Sequence, residues 1–439
     1  MNRIPLFLYN LLFFPLLLIL LPSYLLRMKR RGGYKSKLAQ RFGVFDLTSV
    51  ERIGTGRIWI HASSVGETGI ALKFIEEYRL LHPGSRFLLS VTTSTGLAVA
   101  ERKASAWLEL IANPVDFPVI TSRLVRRFRP AGLVFVEADL WPNRVAACRH
   151  LGIPVVLLNA RLSGRSEHRF RSFRSITAPL FNSLNLITLA DPGDRARWLS
   201  LGVRFGLLRL TGNIKHDALA GKPGIPPPLP PQPGWDDVDP VFLAASTHQR
   251  EEVEIAQAFG TLRKAFPNLR LVIAPRHAER RDAILADLRS LGLTCSLRSK
   301  PSTEQADLLL LDTTGELAGW YSRAMLAFVG KSLPSALNHG GQNMIEPLQA
   351  GCPVLIGPET GNFEPLASAL CDAGAAIRVT DAESLAEAAS GILRDADCRI
   401  RMISSASAVL EPHSGATRRA CLLVGELLRG SLPEEARRA

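Results

Sequence analysis

Three stretches in the first half of the chain hold acids and small hydroxyls at points where its rhythm calls for a turn. Ser63-Ser64-Val65-Gly66-Glu67 sets two hydroxyls and a glycine where backbone approaches a ligand, with Glu67 in or near the first turn of a helix. Thr92-Thr93-Ser94-Thr95-Gly96 is a second hydroxyl-rich turn, and Glu137-Ala138-Asp139-Leu140-Trp141-Pro142-Asn143 adds two acids and a tryptophan. Carboxylates beside hydroxyl donors are the groups that move protons to and from a hydroxylic substrate. Taken singly, each is also an ordinary helix cap, since a first-turn acid favours the helix dipole. Three at equivalent strand ends point to one cleft.

The second half carries different chemistry. Ser246-Thr247-His248, Pro275-Arg276-His277, Thr313-Thr314-Gly315-Glu316-Leu317, Gly330-Lys331-Ser332 and the run from Asn338 through Asn343 to Glu346 place cations, hydroxyls and glycines after apolar runs. A guanidinium at a strand end beside a glycine-bearing turn suits a phosphate, which takes planar and backbone donors together. The bland alternative is a surface arginine with ordinary turn glycines. Glu346, just before Ala350-Gly351, suits ribose hydroxyls or caps a helix.

These loops need a scaffold that brings strand ends together. RIWIHA, RFLLSV, GLVFVE and PVVLLNA read as strands with amphipathic stretches such as TGIALKFIEEYRLL between them, and VFLAAS, LRLVIAP, LLLLD, AMLAFVG and PVLIG repeat the pattern. Alternating strands and helices predict parallel sheets, whose ligands bind beyond the strand carboxyl ends. The stretch from Gly221 to Pro240 is too rich in proline for helix or central strand and reads as a stiff connector. The chain therefore divides into residues 1–30, a domain over 31–220, a linker over 221–240 and a domain with C-terminal helices over 241–439. Its 439 residues, 46% apolar and 21% charged, suffice for two cores and exclude a disordered chain.

A net charge of +13 suits an anionic partner without choosing among phospholipid, nucleic acid and phosphorylated substrate. From Ile4 to Leu26 no charge appears, long enough to cross roughly 30 Å of hydrocarbon. Arg27, Lys29, Arg30, Arg31, Lys35 and Lys37 follow, whereas a signal peptide would end in small residues. This predicts an anchor with the domains on the cytoplasmic side. Pro5, Pro15 and Pro22 count against a straight spanning helix and leave a segment lying in one leaflet as the alternative. Six cysteines without a paired spacing indicate reduced thiols. Gly330-Lys331-Ser332 is not a P-loop, since Met325 stands where that motif needs glycine. No G-x-G-x-x-G follows the first strand, and no H-E-x-x-H is present. Asp395-Ala396-Asp397 lies far from the strand-end loops, so no metal is expected.

The ordered motifs resemble the Kdo transferases of lipopolysaccharide assembly, which pass 3-deoxy-D-manno-octulosonic acid (Kdo) from CMP-Kdo to a lipid A precursor. HASSVGET, VEADLWPN, LNARLSGRS, TGNIKHD, ASTHQREEV, PRHAER, DTTGELAGWY and FVGKSL with HGGQNMIEPLQAGCPVLIGP are similar to that family's motifs in order, from the N-terminus to about residue 400. The resemblance implies a GT-B fold of two Rossmann-like domains, inversion at the sugar and no cofactor beyond the donor. It also implies an inner-membrane location on an anionic lipid surface, with no nucleic acid and no obligate protein partner. It matches Glu67 to the general base and Glu137 to a second essential acid, with Ser63, Ser64, Gly66, Thr93, Ser94 and Lys215 on the acceptor side. Ser246, Thr247, His248, Pro275, Arg276, His277, Gly315, Glu316, Gly330, Lys331, Ser332, Asn343 and Glu346 match the donor side. Arg276 and the N–H groups from Gly330 to Leu333 are then expected to meet the departing phosphate. Gln249, Arg250, Lys331 and Gln342 depart from the family pattern, which has glutamate, glycine, glycine and histidine there. A relative using a UDP-sugar, or a non-catalytic binding protein of the same fold, would share many of these features.

Overall fold

Apolar runs without polar alternation form strands buried on both faces, which a parallel sheet requires. A computed structural model shows this in residues 6–11, 13, 15, 19, 23, 35–137, 139–217, 235–236, 238–300, 306 and 308–430. Most of the expected anchor, of the Gly221–Pro240 connector and of the last nine residues lies outside the described set. Among the described residues no helix is long and apolar enough to cross a membrane.

Two units emerge, one of residues 1–220 and 413–439 and one of 221–412. The first holds β1 (Ile58–Ala62), β2 (Phe87–Val91), β3 (Leu108–Ala112), β4 (Gly132–Val136), β5 (Val155–Ala160), β6 (Leu186–Leu189) and β7 (Leu208–Leu210). Their order is β3-β2-β1-β4-β5-β6-β7, and all pairs are parallel. This is the doubly wound order whose reversal beside the first strand opens a ligand crevice. Every residue of β1, β2, β4 and β5 is buried.

The second sheet holds β8 (Val241–Thr247), β9 (Arg270–Pro275), β10 (Cys295–Leu297), β11 (Leu308–Leu310), β12 (Leu326–Val329), β13 (Val354–Ile356) and β14 (Ala376–Arg378). Its order, β10-β11-β9-β8-β12-β13-β14, is the same plan with a short edge strand added. Ile255, Phe259 and Leu262 of one helix and Leu385, Ala389 and Ile392 of another fill the core beside it.

The last helix, Ala416–Gly430, corrects the expected boundary at 439. Its stripe of Ala420, Cys421, Val424 and Leu428 joins the core of the first unit. Asp217 fixes its start, accepting from Gly415 N at 3.0 Å and Thr417 N at 2.7 Å. A Cβ at Gly425 would come 2.6 Å from His82 Nε2, so the helix lies close. The sequence led to C-terminal helices but not to the unit this one packs on.

Candidate active site

β1 delivers His61 and Ala62 to the loop that starts the helix Val65–Leu81. Ser64 caps that helix, its Oγ accepting from Glu67 N at 3.2 Å and donating to Glu67 Oε1 at 3.0 Å. The Ser63 N–H donates to Glu67 Oε2 at 2.7 Å. Glu67 is thus both a capping residue and a candidate base. Burial pushes its carboxyl up to about 7, nearby Glu137 and Asp139 add to the rise, and the bonds from Ser63 and Ser64 oppose it. A group poised there accepts a proton efficiently at neutral pH.

Glu137 follows β4 with φ 62°, a strained setting for a side-chain-bearing residue and one that clusters at functional sites. Burial raises its carboxyl, while Arg161 and Lys215 oppose the rise. The same burial lowers Lys215, and Arg161 adds to it. Glu67, Glu137 and Lys215 therefore share one electrostatic environment.

Sequence reasoning placed Asp139 and Trp141 in a strand-end loop of the cleft without giving them a role, and it did not single out His61. His61 is fully buried, with Nδ1 at 3.1 Å from Ser90 Oγ, and Trp141 Nε1 donates to its Nε2 at 2.9 Å. Trp59 Nε1 also donates to Ser90 Oγ, which donates to Ile60 O. This pattern assigns the proton to Nδ1 and leaves Nε2 an acceptor. Burial lowers the ring's pKa and keeps it neutral. Asp139 Oδ2 lies 3.4 Å from that Nε2 and accepts from the Ser63 hydroxyl. Burial alone would raise Asp139, but the neighbouring His61 ring and the bond from the Ser63 hydroxyl outweigh it and lower the carboxyl. Thr93 caps the helix Ser94–Glu101 through Gly96 N at 3.2 Å, and the neighbouring Thr92 Oγ1 lies 3.4 Å from Ser63 Oγ. Gly66 is exposed in the first turn.

In the second unit Glu251, also unassigned from sequence, organises the loops expected to meet the donor. Its Oε2 accepts from His248 N at 2.8 Å and Lys331 N at 2.7 Å, and its Oε1 from Ser332 N at 2.9 Å and Leu333 N at 3.1 Å. The expectation that the Gly330–Leu333 turn offers these donors to a phosphate is therefore corrected. A buried carboxylate already holds three of them. Gly330 is required there, because a Cβ would sit 2.6 Å from Thr247 Cα and 2.8 Å from Glu251 Oε2.

Positive charge gathers around His248, whose pKa falls to about 4 through burial and the nearby Lys331, His277, Arg280 and Arg276. The rings of His248 and His277 meet edge to face at 5.7 Å. Neutral His248 Nε2 accepts from Gln342 Nε2 at 3.1 Å, which gives the glutamine at this position a partner. Ser246 turns with φ 53°, and Pro275 ends β9 opposite Thr247. Arg276 is exposed. Glu316 is taken up differently, accepting from Arg298 Nε at 2.7 Å and Thr313 Oγ1 at 2.6 Å beside Gly315 (φ 95°). Asn343 donates to Glu346 Oε1 at 2.8 Å and accepts from Ile345 N at 3.0 Å, in the turn before the helix Ile345–Gln349. Among the described residues no group of three or more His, Cys, Asp or Glu is placed to hold a metal ion.

Arg250 (φ 83°) and Lys331 (φ 63°) occupy left-handed backbone, the conformation glycine adopts without cost. Arg250→Gly is expected to stabilise the protein by about 1 kcal/mol, read as a higher denaturant midpoint with unchanged slope.

Two parallel-sheet α/β units with acid, hydroxyl and cation loops at their strand ends define a GT-B-like fold. A glycosyltransferase from Rickettsia africae has the same fold, with a TM-score of 0.52 at 10% identity over 87% of this chain and 99% of that one. A family model described as 3-Deoxy-D-manno-octulosonic-acid transferase (kdotransferase) matches residues 36–218. The 3-deoxy-D-manno-octulosonic acid transferase of Bordetella pertussis is 34% identical over 407 residues, 90% of this chain and 92% of its own. That of Haemophilus influenzae is 30% identical over 392 residues, 88% and 90% of the two chains. The chain belongs to the Kdo transferase family, and its reaction is Kdo transfer in lipopolysaccharide biosynthesis.

Proposed function

We propose that the chain moves Kdo from CMP-Kdo to a primary hydroxyl of a lipid A precursor of the lipid IVA type, inverting the sugar and releasing CMP, with Glu67 as base. The carrying observation is the Glu67 carboxyl, held by Ser63 and Ser64 and raised to about 7 beside two further acids. The hydroxyl oxygen bonds to the anomeric carbon as the bond from that carbon to the phosphate oxygen breaks. The hydroxyl proton goes to Glu67, and the electron pair leaves on CMP. Glu137 raises the basicity of Glu67, while Arg161 and Lys215 offer cations to the anionic acceptor.

On the donor side Arg276 and Lys331 supply charge to the leaving phosphate and His277 stands beside them, in place of the turn amides that Glu251 occupies. Inversion requires no covalent intermediate, so one base suffices. The enzyme works at the cytoplasmic face of the inner membrane, where basic surface and the apolar N-terminal segment bring it to its lipid.

Acceptor-dependent CMP release from fresh CMP-Kdo, with the mass gain of a tetra-acylated lipid A precursor, tests this reading. One or more Kdo mass steps are expected. Sugar transfer from a UDP-sugar, with none from CMP-Kdo, would overturn the donor assignment.

A further inference from the structure

Asn10 is a costly residue in an apolar stretch, because a side-chain amide in hydrocarbon loses its hydrogen bonds. Here it has a protein partner. Asn10 and Asn143 exchange amide bonds, at 3.1 Å from Asn10 Nδ2 to Asn143 Oδ1 and at 2.7 Å in return. Residues 6–11 are helical, so Asn10 shares a face with Phe13, three residues on. Phe13 meets Trp141 edge to face at 6.4 Å, and Tyr9 lies beside Asp116. Phe7 and Leu11 are exposed.

The surface they meet belongs to the catalytic edge. The helix Pro142–His150 begins at Trp141, whose own side chain makes no cap. Fully buried Asp116 caps it from the loop after β3, accepting from Asn143 N at 2.9 Å and Arg144 N at 3.0 Å. Asn143 Nδ2 also donates to Asp116 O at 2.7 Å. Trp141 then donates to His61, which lies beside Asp139 and Ser63, and Ser63 holds Glu67. Contacts thus run without a gap from Asn10 and Phe13 to the candidate base.

We propose that Asn10 and Phe13 are positioning residues of the acceptor site: by docking on Asn143 and Trp141, the N-terminal segment sets the indole against His61 and so orders the loop that holds Glu67. A segment that only tethers the enzyme to lipid has no need of the amide pair. The inference rests on the proposed function for its substrates and on geometry alone for the docking.

The test compares wild type with Asn10→Ala and Phe13→Ala in detergent, using both the lipid acceptor and its deacylated, water-soluble disaccharide. About tenfold lower kcat is expected on both acceptors, with the KM for CMP-Kdo within twofold of wild type. Backbone amides of 139–145 should exchange with deuterium about tenfold faster in both variants. Full activity of the variants on the soluble acceptor would mean tethering alone and overturn the inference, as would unchanged exchange. If wild type transfers no Kdo, the substrate reading fails, and the exchange rates still decide the docking.

Discussion

Glu67→Gln is expected to lower kcat for Kdo transfer by about 10² to 10⁴ while leaving CMP-Kdo affinity nearly unchanged. The amide keeps the shape of the carboxyl and can still accept from Ser63 N, so the loss isolates proton acceptance from folding. In wild type the ionised fraction of Glu67 sets the pH profile. With its pKa at about 7, kcat/KM should rise tenfold per pH unit below that value and level off above it. A profile flat between pH 5.5 and 8.5, or a variant within threefold of wild type, would remove Glu67 as base.

The same substitution should stabilise the protein, which separates it from a structural lesion. An unfolded glutamate ionises near 4.5 and folded Glu67 near 7, so between these values the folded state holds more protons. Stability therefore falls as pH rises through that window, and the penalty persists in full above it. Glutamine carries no such penalty. Discounted for partial exposure, Glu67→Gln should gain about 1 to 2 kcal/mol at pH 8 and nothing at pH 4, measured by denaturant melts. Lost activity with gained stability is the trade expected where a site holds a charge against its surroundings.

The sequence carried the parallel-sheet plan because buried strands such as Val155–Ala160 have no polar alternation, and the strand-end loops followed from it. It did not show β3, whose Glu109 breaks the apolar run, nor β6, β7, β10 and β14, whose short runs carry Thr188, Arg209, Ser296 and Arg378. Glu67 was legible from the type and place of one residue. Asp139 and Trp141 stood in a strand-end loop already read as part of one cleft, but His61 did not stand out, because a neutral imidazole reads as an ordinary core residue until its partners on β2 and after β4 are known. Glu251 was hidden for another reason. As the first residue of the helix Glu251–Arg263 it looks like an acid favouring the helix dipole, and its main partners lie 80 to 82 positions away.

Glu251→Ala is accordingly expected to cost about 3 to 5 kcal/mol of stability, the largest loss among these substitutions. Four N–H groups would lose their acceptors together at a site where Glu251 itself is fully buried, and left-handed Lys331 would lose the bond that holds it there. Glu251→Gln should not rescue the loss. One oxygen can serve two of the donors, but the amide nitrogen would then point its own hydrogens at the other two. That outcome distinguishes an acceptor requirement from a packing one, since glutamine fills the same volume. Donor affinity should fall with stability, because the turn that Glu251 holds carries Lys331 beside His248. Isothermal titration with CMP at a temperature where the variants remain folded would measure it. A Glu251→Gln protein as stable as wild type, with CMP affinity intact, would show that the carboxylate is not what shapes the loop.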